Sequence, residues 1–205
     1  MRNPDPVHRG ETKNRIVDKA RKLFAQKGFG ETSMTEVARA CGLTKAGIYY
    51  YFKSKEALFE DIVNQGMAAH ELVMEKMKET KTLGQSLELF ATVMDDFEAR
   101  PENQEILSIL VAEGGKKSRV GEIYHQIGGK YTDRFVGHAL EAGLIRSGEE
   151  PMFRATLFMF FGTLLHYNLN RTFRGPSTLQ MTPGQFFSFT ASMVSGGWEK
   201  ARHGN

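Results

Sequence analysis

Apolar residues along the chain recur with a spacing near 3.6, and no sustained period-two alternation bounded by hairpin turns breaks that rhythm. Ile16, Ala20, Leu23 and Phe24 share one helical face. Gly28 follows where a left-handed cap would stop the helix, which predicts a first helix over roughly 12–27. Ser33 followed by Glu36 has the form of a capping box, opening a second helix over about 34–40. Cys41-Gly42-Leu43 ends it at the residue best able to take a positive φ. Thr44 can cap a short third helix, and Ser54 a long fourth reaching to about Lys78. Leu83 to Arg100, Pro101 to Glu113, Ser118 to Ala142, Pro151 to Phe173 and Pro183 to Arg202 continue the series. The expected fold is all-α with about nine helices. Gly128-Gly129 predicts a kink or break in the seventh, at about 1 kcal/mol per glycine relative to alanine. Met1 to Gly10 and His203 to Asn205 lie outside the pattern and are expected to lack order.

Two short helices joined by a tight glycine turn, the second aromatic and basic, form the helix-turn-helix pattern. Ala38 is small where the helices must cross. With Ile48 set toward the core, Phe52 lies within about 40° of it, whereas Tyr50 points away at about 200° with Ala46 beside it near about 160°. Gly47 and Tyr49 flank that outward line. The run of tyrosines in T-K-A-G-I-Y-Y-Y-F-K-S-K is therefore divided in role. Tyr50 is presented outward, while Tyr49 and Tyr51 stand at the edges, where a duplex lying across the helix would place phosphates. Lys45, Lys53 and Lys55 add positive charge, and the start of the fourth helix near Ser54 offers free N–H groups.

Charge sharpens this picture. Residues 1–60 hold 12 Lys+Arg against 7 Asp+Glu, a balance of +5, and the remaining residues hold 15 against 17, giving the net +3. The basic part is the part with the tyrosines, and a local positive field favours a polyanion. One cysteine, Cys41, permits no intramolecular disulfide, and no secretory leader is evident. The longest greasy run, Ala155 to Leu169, carries Thr, His and Asn and reads as a buried helix rather than a membrane span. A cytoplasmic protein without membrane association is the simplest reading.

Enzyme chemistry finds no footing. There is no G-x-S-x-G, no phosphate-binding G-x-x-x-x-G-K-[ST] and no H-E-x-x-H. The six histidines are scattered without ligand spacing, so no metal or cofactor is expected.

T-S-M-T-E-V-A-R-A-C-G-L-T-K-A-G-I-Y-Y-Y-F-K-S-K-E-A-L-F, Thr32 to Phe59, resembles the DNA-binding domain of the TetR family of bacterial transcriptional regulators, and the likeness extends back to Ile16 and Phe24. The turn glycine, the Y-x-Y-F and the K-E-x-L-F that opens the fourth helix occur in order. The resemblance implies a helix-turn-helix DNA-binding domain over 1–58 and a larger helical effector-binding and dimerisation domain over 59–205. It implies a homodimeric repressor that binds a palindromic operator in double-stranded DNA. By position it also implies DNA contacts from Thr32 or Ser33, Thr44, Lys45, Gly47, Tyr49, Tyr50, Tyr51 and Lys55. Val111-Ala112-Glu113, Tyr124 and Ala142-Gly143-Leu144-Ile145 loosely resemble the regulatory half of drug-efflux regulators in that family.

The second half carries no motif of equal strength. The helix over 151–173 is apolar nearly all round, with Phe153, Leu157, Phe158, Phe160, Phe161, Leu164 and Leu165 on more than one face. One face can pack inside the chain. Another can meet its own copy across a two-fold axis, together with the last helix and its Phe186, Phe187, Phe189, Met193 and Val194. A single thick monomeric core is the alternative. A pocket for a small apolar effector would draw on Met67, Phe90, Met94, Phe97, Leu107, Leu110, Phe135, Phe161, His166 and Tyr167. His166 and Asn168 are polar insertions on the greasy helix, which an interface hydrogen bond explains as well as a ligand does. Two functional classes stay open: an effector-released DNA-binding repressor, and a helical ligand-binding or interaction module whose helix-turn-helix is vestigial. Salt dependence of DNA binding separates them.

Overall fold

The computed structural model describes residues 6–98, 100–114, 118–174 and 180–203. Among the described residues the regular structure is all helical: α1 (Pro6–Lys27), α2 (Met34–Ala40), α3 (Lys45–Tyr51), α4 (Lys55–Gly66), α5 (Ala68–Met77), α6 (Leu83–Glu98), α7 (Pro101–Gly114), α8 (Arg119–Glu141), α9 (Glu150–Arg174) and α10 (Pro183–His203). The expected long fourth helix is present as α4 and α5, interrupted at Met67, whose N–H reaches both Val63 and Asn64 carbonyls. Counted as one, the pair restores the expected nine. Two expectations are corrected. α1 begins at Pro6, so Pro6 to Gly10 are helical rather than unordered, and α8 runs through Gly128-Gly129 without a break. Within α8 the helix's own hydrogen-bond ladder outweighs about 1 kcal/mol of glycine penalty per residue.

The chain folds as two compact units. The first comprises the residues up to Met67 together with Pro101–Ile127. Its core is the buried face of α1, Ile16, Val17, Ala20 and Phe24, packed with Val37, Ile48, Leu58, Phe59, Ile62 and Val63. Phe24, Phe29 and Phe59 form a ring triad with centroids 5.1, 5.5 and 6.3 Å apart. α7 belongs to this unit because it is pinned to α1 and α4. Arg21, 5% exposed, pairs with Glu105 of α7 at 2.5 Å and with Asp18 at 3.1 Å. At Gly66 of α4 a Cβ would come within 2.6 Å of Ile106 Cδ1, so a larger residue there would require the end of the Ile106 side chain to shift.

The second unit comprises Ala68–Arg100 and Gly128–Asn205. Its core gathers Val73, Met77, Leu87, Phe90, Met94, Phe135, Val136, Phe153, Leu157, Phe160, Leu164, Phe187 and Trp198. α6 and α10 run side by side, joined by a hydrogen bond from Ser188 to Glu88. Arg202 of α10 closes one end, reaching Glu149 at 3.0 Å and the Leu144 carbonyl at 3.3 Å.

Phe24 is fully enclosed in the first unit, so Phe24→Ala should cost about 3–5 kcal/mol. Denaturant unfolding of the full chain should show the lower midpoint.

Candidate DNA-binding face

The face is assembled from short helices whose starts are set locally. At α2, Ser33 Oγ accepts from the Glu36 N–H at 3.2 Å. The Glu36 carboxylate lies below its ordinary range, chiefly through the Lys27 ammonium bound to it and further through the Ser33 N–H. α2 closes at Cys41-Gly42-Leu43, where Gly42 holds φ at +67° and the Leu43 N–H returns to the Ala38 carbonyl at 2.8 Å. Cys41 is buried, and burial pushes its thiol up, so it stays protonated and serves packing. Thr44 then caps α3, its Oγ1 accepting from the Gly47 N–H at 3.0 Å. A Cβ at residue 47 would stand 3.2 Å from that oxygen, so glycine keeps the cap uncrowded.

α3 has the orientation its spacing predicts. Ile48 and Phe52 are 0% and 4% exposed, whereas Tyr50 is 51% and Tyr49 42% exposed. Lys45, Ala46 and Lys53 are also exposed, and Gly47 and Tyr51 are half-buried at the edges. The Tyr50 and Tyr51 rings meet edge to face at 5.2 Å. On the other side, Arg9 of α1 carries its guanidinium over the Tyr50 ring at 5.1 Å. One turn along α1, Lys13 lies 5.6 Å from the Phe52 ring and bonds Asp61 of α4 at 2.6 Å. Arg9 lies in the stretch expected to lack order and is not among the expected contacts, whereas α1 includes it. The available signal was the one-turn spacing of Arg9 and Lys13, continuous with the face that carries Ile16, Val17 and Ala20.

Two expected contacts are corrected. Thr32 is 1% exposed and donates its hydroxyl to the Gly28 carbonyl at 2.9 Å, so of the Thr32 and Ser33 alternatives only Ser33 is on the surface. The Lys55 ammonium is caged by the carbonyls of Phe29 at 2.5 Å, Thr32 at 2.9 Å and Gly30 at 3.2 Å, and it sits 4.5 Å from the Phe29 ring. An ammonium has three donors, and three carbonyls take them. Lys55 is therefore a clasp between α4 and the loop before α2 rather than a charge offered to phosphate.

The residues expected to line an effector pocket are divided between the two units. Met67, Leu107 and Leu110 belong to the first unit, with Leu107 buried and the other two half-buried. Phe90, Met94, Phe135 and Phe161 do come together in the second, with Phe161 ring centroids 4.9 Å from Phe90 and 6.3 Å from Phe135. Tyr167 is buried, stacked on Phe186 at 4.3 Å, and its hydroxyl donates to the Met181 carbonyl. His166 is exposed, a correction that follows from helical phase, since α9 turns Leu164 and Tyr167 inward. The side chain of Phe97 lies outside the described residues. Asn168 is 3% exposed and its Oδ1 has no hydrogen-bond partner among the described residues. An open groove of about 300 Å³, lined by Glu71, Met74, Lys78, Arg134, His138 and Glu141, contains none of the expected residues and is too polar for an apolar guest.

Among the described residues no group of three or more His, Cys, Asp or Glu side chains is placed to hold a metal, and no helix is long and apolar enough to cross a membrane.

Residues 16–62 match the model of the bacterial regulatory proteins, tetR family. The chain is similar to the HTH-type transcriptional regulator AcrR of Shigella flexneri, 46% identical over 52 residues, which are 25% of this chain and 24% of that one. It is also similar to the biofilm operon negative transcriptional regulator IcaR of Staphylococcus aureus, 37% identical over 51 residues, 25% of this chain and 27% of that one. The match thus spans about a quarter of the length of these curated relatives. Both relatives are transcriptional regulators. Along nearly the whole chain the fold is that of the transcriptional regulator FadR from Bacillus subtilis, solved in complex with stearoyl-CoA, with a TM-score of 0.68, 18% identity, and coverage of 90% of this chain and 98% of that one.

The clasp makes a prediction. Lys55→Met should cost on the order of 2 kcal/mol in stability, the scale of charged hydrogen bonds lost at a part-buried site. Backbone amides of Gly30 and Glu31 should then exchange faster in hydrogen-exchange measurements.

Proposed function

We propose that the chain is a TetR-family regulator, a homodimeric repressor released from a palindromic operator by a small apolar effector; the match of residues 16–62 to that family's model and the FadR-like fold support this reading. One observation carries the DNA reading: with Ile48 and Phe52 buried, α3 presents Tyr50, half exposed, on a face that also carries Lys45 and Lys53. Tyr50 with Ala46 reads base edges, and Ser33, Thr44, Lys45, Gly47, Tyr49 and Tyr51 meet the backbone around them. Residues 1–58 are the DNA-binding part and 59–205 the effector and dimer part.

Dimerisation is supported by the outer faces of α9 and α10. Phe158 is 80% exposed, Met159 57%, Met193 62% and Phe189 55%. Phe189 and Met193 are one turn apart on α10, Phe158 and Met159 are neighbours on α9, and other faces of the two helices fill the core. A monomer would leave that apolar surface in water, and an isologous pairing of the two helices would cover it. Two DNA-reading heads are then held at a fixed separation, matching half-sites about one helical turn or a multiple apart.

Effector binding is supported by the Phe90, Met94, Phe135 and Phe161 cluster together with Asn168, whose unmet acceptor asks for a donor such as a hydroxyl or amide. FadR, of like fold, was solved with a ligand that has a long apolar tail. An effector that favours a dimer state with the heads out of register would release the operator, and it need only bind that state more tightly.

DNA binding should be measured by gel shift on the DNA upstream of the protein's own gene. Affinity should fall steeply with salt, with a log-log slope near −0.9 for each phosphate neutralised. Tyr50→Ala should lose about 1–3 kcal/mol of preference for that duplex over an unrelated one. A salt-insensitive protein, or a Tyr50→Ala variant with full preference, would sink this reading. Phe158→Asp combined with Phe189→Asp should give a monomer in analytical ultracentrifugation and weaken operator binding at least tenfold. A variant that stays dimeric would place the interface elsewhere.

A further inference from the structure

We propose that Arg9 is a DNA-contact residue, so that the binding face extends from α3 onto the first turns of α1. This rests on the reading that α3 meets DNA. Arg9 is exposed, and its guanidinium lies over the Tyr50 ring at 5.1 Å. Tyr50 is therefore held between two neighbours, with the Tyr51 ring against it at 5.2 Å.

The two basic residues on this face of α1 are in different electrostatic positions. Lys13 is neutralised by Asp61 at 2.6 Å and is anchored inside the first unit. Arg9 makes no ion pair among the described residues, so none of them cancels its charge. A guanidinium over an aromatic ring is held through its face, and that leaves its in-plane N–H donors at the edge. Planar paired donors match a phosphate, whose oxygens can accept two parallel bonds. The donors stand one ring away from the side chain that faces the bases, where the duplex backbone must pass if Tyr50 is in the groove. Arg9 thus neutralises a phosphate, whereas Lys55, which sequence position alone would assign to that task, is used up on backbone carbonyls.

The test is fluorescence anisotropy of the full-length protein with two labelled duplexes, one from upstream of its own gene and one unrelated, between about 50 and 200 mM salt. Arg9→Ala and Arg9→Gln should weaken both duplexes alike and reduce the magnitude of the log-log salt slope by about 0.9, one phosphate's worth. Arg9→Lys should keep the slope. Lys22→Ala removes an exposed charge from the opposite side of α1 and should leave the slope unchanged. The proposal is overturned if Arg9→Gln keeps the parent slope, which would make Arg9 a prop for the Tyr50 ring only. It is equally overturned if Lys22→Ala lowers the slope as much, since the effect would then be one of net charge. A parent protein with no salt-sensitive binding to either duplex would sink the DNA-binding reading itself and this proposal with it, whereas steep parent binding with silent Arg9 variants sinks this proposal alone.

Discussion

Gly42, at φ +67°, turns the chain between α2 and α3, and the Leu43 N–H bond back to Ala38 fixes that turn. From there the rotation of α3 is set by burial: Ile48 and Phe52 go into the core of the first unit, and with them placed, a helix has no freedom left in where Tyr50 points. Everything proposed for DNA depends on that phase. Moving the buried apolar positions by one residue along α3 would rotate the helix by about 100° and bring the basic and aromatic side chains off the outward face.

α1 organises what surrounds this helix. Its inner face supplies Ile16, Val17, Ala20 and Phe24 to the apolar core, Arg21 ties it to Glu105 of α7, and its first turns hold Arg9 and Lys13 against the end of α3 and the side of α4. Lys55 completes the frame by binding three carbonyls of the segment between α1 and α2. Charged groups here stabilise geometry when they are enclosed by partners, and remain available to a ligand when they are not. The contrast between Lys55 and Arg9 is of that kind, and it follows from the count of donors met rather than from charge.

In the second unit the same two helices do opposite things on opposite faces. α9 buries Phe153, Leu157, Phe160 and Leu164 while leaving Phe158 and Met159 outside, and α10 buries Phe187 and Trp198 while leaving Phe189 and Met193 outside. The inner faces account for the fold of the unit, and the outer ones are apolar surface without a covering element among the described residues. Asn168 is the polar exception within, an acceptor whose demand the described chain does not meet.

The sequence by itself determined the helical class, the starts at Ser33, Thr44 and Ser54, the break at Gly42 and the outward phase of Tyr50. All of these are set within about one turn of the residue concerned, by a side-chain oxygen on a nearby N–H, a permitted φ, or the 3.6 period. Tertiary structure alone decided that Thr32 faces inward, that Lys55 is a clasp, that α1 is ordered from Pro6 and brings Arg9 to Tyr50, that α7 joins the first unit, and that His166 is exposed. The reason is distance along the chain: the carbonyls that hold Lys55 lie 23 to 26 residues away, and Glu105 lies 84 residues from Arg21. No local pattern encodes which long-range partner a flexible charged side chain will find, because that choice is made by how the helices pack.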